Sequence, residues 1–264
     1  DTARWLRPHL AALGFEPEPV RAGRRHLDPA RIGAYIEVHI EQGPHLVAIE
    51  RPCAIVTGIR GNFRFKHARA IGEYGHAGAV PRTQRQDALL AAVEFAHCME
   101  RMWIRREGER QDLVCTVGEF FTDPQQHTMT KIPGEVRFTM DIRSYDEAVL
   151  AQCRAELERA AADISASRRV RIELGGHKHA RSAVMDAKLI ALAERAAARL
   201  GIDAPRMASG AGHDCAVFAN EGVPCAMIFI RNEDGSHNPR EKMQIGDFAV
   251  ASRLLWEMLD ELVA

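Results

Sequence analysis

The sequence predicts an α/β fold. An open α/β domain formed by both ends of the chain carries an inserted, ferredoxin-like α+β domain. Three observations predict it. The middle of the chain reads β-α-β-β-α-β. The last part reads helix, loop, strand, loop, helix, and its strand "CAMIFI" (225–230) is apolar at every position, as in a strand covered on both faces. An early β-branched run, "AYIEVHI", belongs with that strand but is separated from it by the whole insert. The division falls at 1–55 and 179–264 for the outer domain and at 56–178 for the insert.

The elements follow in order. "DTARWLRPHLAALGF" is an amphipathic helix with Trp5, Leu6, Leu10 and Leu13 on one side and Asp1 or Thr2 as its cap. A polar, proline-rich connection, "EPEPVRAGRRHLDPAR", leads to the strand that ends at His39 before an Glu-Gln-Gly-Pro turn. From Ile55 a long extended stretch runs through "IVTGIRGNFRFKHARAIGE". A helix over 85–105 follows, with Ala88, Ala91, Ala92, Phe95 and Met99 in register. Strands "DLVCTVGEF" and "GEVRFTMDIRS" flank a proline-containing loop, a second helix spans 146–162, and "RVRIEL" alternates as a strand. Gly175 and Gly176 suit a hinge back to the outer domain, with His177 and His179 beside it as surface or hinge residues. Helices over 186–200 and from Gly246 onward complete the outer domain.

Bulk properties bound the function. The 264 residues are 46% hydrophobic and 27% charged, enough for a substantial core. With 35 basic against 36 acidic residues there is no electrostatic case for nucleic acid or an anionic membrane, and no apolar run is long enough to span a bilayer. The six cysteines stand singly, with no CxxC, and read as free buried thiols in a reducing cytoplasm. The start has neither a signal-peptide core nor an initiator Met, so the chain reads as beginning inside something longer.

His39 closes a strand, and His237, in "GSHNPRE", lies in the loop after another. Ligands of open α/β sheets bind beyond the carboxyl ends of the strands. Two imidazoles gathered there suit zinc or a similar borderline metal. Ser209, His213 and Asp214 lie close in sequence, but there is no G-x-S-x-G elbow, and adjacency is not triad geometry. They read as pocket lining, with Asp214 orienting its neighbours.

Five segments in order, "HIEQGP", "GHAGAVP", "IPGEV.F..DIR", "SGAGHD" and "SHNP.E", change the weight of these residues. Together they resemble the M20-type metal-dependent amidohydrolases of the hydantoinase/carbamoylase branch. That branch includes N-carbamoyl-L-amino-acid hydrolases, β-ureidopropionase and allantoate amidohydrolase. "HIEQGP" separates it from peptidase and aminoacylase relatives, which usually place a carboxylate where His39 stands. The resemblance makes the outer domain part of a metallohydrolase domain and the insert a lid and dimerisation domain. It implies a soluble cytoplasmic homodimer that cleaves a non-peptide C–N bond in a small N-carbamoyl or ureido acid with two divalent metal ions, zinc or manganese. His39 matches a terminal ligand of one metal and His237 of the other. Gln42 matches a substrate-contacting glutamine. Arg143 matches an arginine that clamps the substrate carboxylate, and Ser209 and Gly210 match a loop lining the pocket. His76 matches the insert histidine that reaches into the partner's site and hydrogen-bonds the oxyanion.

The sequence also departs from that pattern. Gly75 precedes His76 where Asn is usual, Thr130 stands where a substrate-binding Asn is usual, and Arg82 stands where Met is usual. The family's HxD segment and Glu-Glu pair, which supply the remaining ligands and the base, have no counterpart here. His26 and Asp28 imitate HxD, but in the wrong place. The chain therefore reads as the C-terminal portion of a longer enzyme, expected to bind metal poorly and to hydrolyse nothing by itself. The competing class is a degenerate binding or dimerisation module.

Overall fold

The computed structural model describes residues 2–24 and 27–264. Asp1 and His26, named above as cap and decoy ligand, lie outside the described residues. The first helix, α1 (Thr2–Ala12), and a short second one, α2 (Pro17–Arg21), lead into the outer domain. Leu6 and Leu13, expected on an apolar stripe, are exposed.

The outer sheet is mixed. Strand β1 (Tyr35–Ile40) runs parallel to β12 (Cys225–Ile230), with Glu37 opposite Met227 and His39 opposite Phe229. Strand β2 (Cys53–Ile59) runs antiparallel to β12. Its other edge is shared by β11 (Arg206–Ser209), in parallel, and β10 (Ala183–Val184), antiparallel. Every residue of β12 is buried, which accounts for its unbroken apolar sequence. Helices α6 (Ala187–Leu200) and α8 (Ile245–Val263) pack together against β2 and β12. The short helices α3 (His45–Ala48) and α7 (Asp214–Asn220) follow the loops that carry the candidate site.

The insert is an antiparallel sheet backed by two long helices, as the β-α-β-β-α-β order predicts. Strand β7 (Glu135–Ser144) lies between β5 (Val114–Thr122) and β3 (Gly61–Ile71). Strands β8 (Arg171–Glu173) and β9 (His177–Ala180) pair with the far edge of β3. A separate ribbon joins β4 (Gly75–His76) to β6 (Lys131–Ile132). Phe63, Phe65, Phe95, Phe138 and Leu157 are among the residues of a core distinct from that of the outer sheet.

Several boundaries move, for physical reasons. Helix α4 (Ala88–Gly108) starts later than 85 because the Asp87 carboxylate caps it, accepting from Leu90 N–H at 3.1 Å. Helix α5 (Glu147–Arg168) runs past 162 because its buried stripe continues from Leu157 and Ala161 to Ile164. The stretch after Ile55 is not one strand. The chain leaves the outer sheet at Arg60, between β2 and β3, and returns at Arg181–Ser182, between β9 and β10. Boundaries at 55/56 and 178/179 thus fall inside β2 and β9. The two crossovers touch at Gly61: a Cβ there would sit 2.7 Å from the Ala180 carbonyl and closer still to Ser182 N. Gly175 and Gly176, expected at the hinge, lie instead within the insert, between β8 and β9.

All six cysteines are free and five are buried. Among the described residues, no helix is long and apolar enough to cross a membrane.

Candidate metal and substrate site

Alternation along β1 places Glu37 and His39 on one face of the strand. His39 Nδ1–H donates to the Ile40 carbonyl at 2.8 Å, which leaves Nε2 with the lone pair a metal requires. The following turn is tightly determined. The Glu41 carboxylate is buried and accepts from His45 N–H and Leu46 N–H at 2.8 and 2.7 Å, holding the start of α3. Gln42 sits at φ 63°, a left-handed conformation uncommon for a residue with a side chain. Its N–H donates to Asn232 Oδ1 at 2.8 Å, and Asn232 Nδ2 in turn donates to the Gly235 carbonyl. Buried Asn232 thereby ties the turn after β1 to the loop after β12.

That second loop carries His237, also left-handed at φ 60°. Its N–H donates to Glu241 at 2.9 Å, and Ser236 Oγ donates to the same carboxylate. Gln42 Nε2 donates to Ser236 Oγ at 3.2 Å and lies 3.5 Å from His237 Nε2. His39, Gln42 and His237 line one recess, so the two strand-end histidines do converge. As a donor set for a divalent metal they fit: both are imidazoles, and the tautomer of His39 is fixed by its carbonyl partner.

Next to this recess an open cleft of about 480 Å³ runs between the outer sheet and the insert, with Gln42, His237, Gly210, Arg60 and Arg143 on its walls. Arg143 projects from β7. Its Nη1 donates to the Gly210 carbonyl at 2.6 Å, and Nε and Nη2 donate to Asp141 Oδ2 at 3.2 and 2.7 Å. Arg60 forms a three-bond fork on Asp112 and lies over the Tyr145 ring, 4.7 Å from its centroid. Two guanidinium groups thus face a cleft that also offers an amide and an imidazole, a combination suited to a small carboxylate-bearing ligand.

Other expected residues are placed differently. Ser209 is fully buried and does not line the cleft; its neighbour Gly210 does. The Ser209 hydroxyl lies 3.0 Å from the Ala211 carbonyl and 2.7 Å from His213 Nε2, and it accepts from Ala211 N–H. With no exposure and its partners all within the same loop, it is a strut rather than a nucleophile. His76 ends β4 and Thr130 immediately precedes β6, both in the insert, and neither is on this cleft. His76 Nδ1 accepts from Gly78 N–H and Ala79 N–H, fixing the turn, and the ring is exposed. The Thr130 carbonyl accepts from Ala77 N–H at 2.8 Å, so the two residues are neighbours. His177 and His179, exposed on β9, engage Arg154 and Glu147.

The structure adds two residues the sequence reading did not single out as ligands. His213, just before α7, has a side chain only 1% exposed. Its ring packs edge-on against His39, with centroids 4.6 Å apart. Its Nδ1 lies 3.9 Å from Glu37 Oε1, while Glu37 Oε2 accepts from Cys215 N–H at 2.7 Å. Burial first, and the neighbouring His39 second, lower the His213 pKa to about 4, so the ring is neutral at pH 7. Glu37 Oε1 lies 3.9 Å from the ring, and Asp214, exposed on the first turn of α7, opposes the shift without outweighing it. Glu37, His39 and His213 bring one potential metal-binding atom each to within 4.8 Å of one another. The sequence signal for Glu37 is the Glu-x-His spacing on one strand face, "EVH".

Comparison with known proteins fits this geometry. Residues 12–261 match the model of peptidase family M20/M25/M40. A probable allantoate deiminase of Oryza sativa subsp. japonica is 34% identical over 266 aligned residues, covering 90% of this chain and 53% of that protein. An N-carbamoyl-L-amino-acid amidohydrolase of Pseudomonas sp. (strain NS671) is 33% identical, covering 95% of this chain and 59% of the relative. A crystal structure of an amidase of the hydantoinase/carbamoylase family from Burkholderia multivorans superposes with a TM-score of 0.76 at 31% identity, over 86% of this chain and 54% of that one. The chain spans about half the length of the curated relatives it matches. It belongs to peptidase family M20/M25/M40, and its relatives are of the hydantoinase/carbamoylase kind.

Proposed function

We propose that the whole protein hydrolyses a non-peptide C–N bond in a small N-carbamoyl or ureido acid, of the N-carbamoyl-L-amino-acid or allantoate type. One observation carries the reading: a single cleft gathers Arg143, Gln42 and His237, each on its own structural segment. The Arg143 fork is positioned to exchange its bond to the Gly210 carbonyl for a bidentate bond to a substrate carboxylate, a charge-assisted pair roughly twice as strong as a neutral one. Gln42, held by Ser236, presents its amide beside His237 to orient the ureido group.

Two divalent ions, zinc or manganese, are proposed as cofactors, with His39 and His237 as terminal ligands. Such ions supply a hydroxide nucleophile at neutral pH and polarise the scissile carbonyl. A homodimer through the insert is proposed as the working form. His76 and Thr130 sit together on an exposed ribbon away from their own cleft, which supports a role in a partner's cleft, where the imidazole would meet the developing oxyanion. Six free thiols support a cytoplasmic location.

The test is steady-state kinetics of the full-length protein, loaded with manganese or zinc, on an N-carbamoyl-L-amino acid, allantoate and an N-acetyl amino acid. Turnover of one of the first two, well above the third, supports the reading; preference for the N-acetyl substrate rejects it.

A further inference from the structure

We propose that the insert carries an anion site, separate from the cleft, for a small phosphate-type oxyanion, free or as a phosphomonoester. A recess of about 550 Å³ opens between the turn before α4 and the end of α5. Arg82, Arg85, Arg168 and Arg169 line it, against two acids, Asp87 and Glu94. Both acids are already engaged. Asp87 caps α4 through Leu90 N–H, and Glu94 pairs with Arg168. The other three guanidinium groups have no carboxylate partner among the described residues. Arg169 Nη2 donates to the Thr83 carbonyl. Arg85 Nε donates to the Val80 carbonyl at 2.9 Å, and its Nη2 to that of Ala77. Arg82, exposed, makes no hydrogen bond among the described residues.

Bonds to carbonyls hold Arg85 and Arg169 in place without compensating their charge. Three like charges gathered at one recess repel each other, and an anion between them relieves that repulsion. A guanidinium meets an oxyanion with two parallel bonds. A carboxylate offers two oxygens and one charge, which one such fork fills. A phosphoryl group offers three or more oxygens and about 1.5 to 2 charges at pH 7, so it can satisfy donors arriving from two separate segments of chain. Arg85 lines the recess and also holds the turn after His76, so the two share one side chain. None of the four arginines takes part in the reaction proposed above, so the site holds or fails separately from it.

Isothermal titration calorimetry of the full-length protein, stripped of metal with a chelator and desalted, tests the proposal. The probes are inorganic phosphate, glycerol 3-phosphate and succinate, a dianion built from carboxylates. The expected result is one phosphate or glycerol 3-phosphate per chain at low salt, with a Kd below about 1 mM, and succinate weaker by about fivefold or more. The tighter of the two phosphates names the source. Arg82→Gln breaks no hydrogen bond, and Arg169→Gly suits the left-handed backbone there, at φ 55°. Each should weaken binding by about fivefold or more. Arg143→Gln removes the same charge from the cleft and should change binding by less than about twofold. Binding only above about 1 mM would mark an adventitious ion only and overturn the proposal. So would equal binding of succinate, unchanged binding in Arg82→Gln, or a loss in Arg143→Gln equal to that in Arg82→Gln.

Discussion

Removing the Asp112 carboxylate should loosen the junction that forms the cleft. Arg60 sits at the first crossover, and Asp112 holds it with bonds of 3.1, 3.0 and 2.6 Å. The same carboxylate accepts from Tyr145 N–H at 3.0 Å. The two side chains are 23% and 27% exposed, so the pair is neither fully screened nor fully dry. Breaking a fully buried pair costs about 3–5 kcal/mol, and an exposed one about 0–1 kcal/mol. An intermediate loss of about 2–3 kcal/mol is expected for Asp112→Ala, because a guanidinium and a backbone N–H both lose their acceptor. Arg60→Ala should cost less, since Asp112 keeps Tyr145 N–H. A double-mutant cycle, read from urea unfolding followed by circular dichroism, should give a coupling of about 1–2 kcal/mol. A coupling under about 0.5 kcal/mol would refute the view that this fork holds the crossover, since distant independent sites add to within that margin.

Other predictions follow from single contacts. Gly61→Ala forces a methyl against the Ala180 carbonyl and Ser182 N, and should lower stability by about 1–3 kcal/mol in the same urea assay. Phe138→Ala empties the centre of the insert core, between Phe95 and Phe120, and should cost about 3–5 kcal/mol. Ser209→Ala removes the hydrogen-bond partner of the buried His213 ring and should cost about 1–3 kcal/mol. Burial raises the Glu147 pKa, but hydrogen bonds from Ser182 and His179 outweigh it and hold the value below the ordinary 4.5. A depressed carboxyl pKa stabilises the fold above the unfolded value and loses that contribution as pH falls below it. Glu147→Gln should therefore flatten the dependence of Tm on pH below about 4.5, as followed by thermal melts.

The α/β organisation was legible because burial and sequence pattern coincide. Strand β12 is apolar throughout and buried throughout, while β7 alternates in both. The crossovers were not, because they contain no proline-rich or glycine-rich linker; one glycine at 61 marks the point where two backbones meet. The convergence of His39, Gln42, Gly210, Arg143 and His237 came from motif resemblance, and the cleft and its neighbouring recess bring them together. Spacing alone could not: Gln42 and His237 are 195 residues apart in the chain. Ser209 was placed on the pocket by motif resemblance alone, whereas its side chain is buried and its hydroxyl engaged entirely inside that loop. The Glu37–His213 pairing depends on tertiary contact, since the Cys215 N–H that orients Glu37 lies 178 residues away.

Arg143 carries the proposed grip on the substrate carboxylate. Initial rates of the full-length, metal-loaded protein and of its Arg143→Lys variant on an N-carbamoyl-L-amino acid and on allantoate test it most directly. Turnover by the wild type and a KM raised by about tenfold or more in the variant are expected, because an ammonium cannot reproduce the bidentate fork. An unchanged KM in Arg143→Lys, or no turnover of either substrate by the wild type, would contradict it.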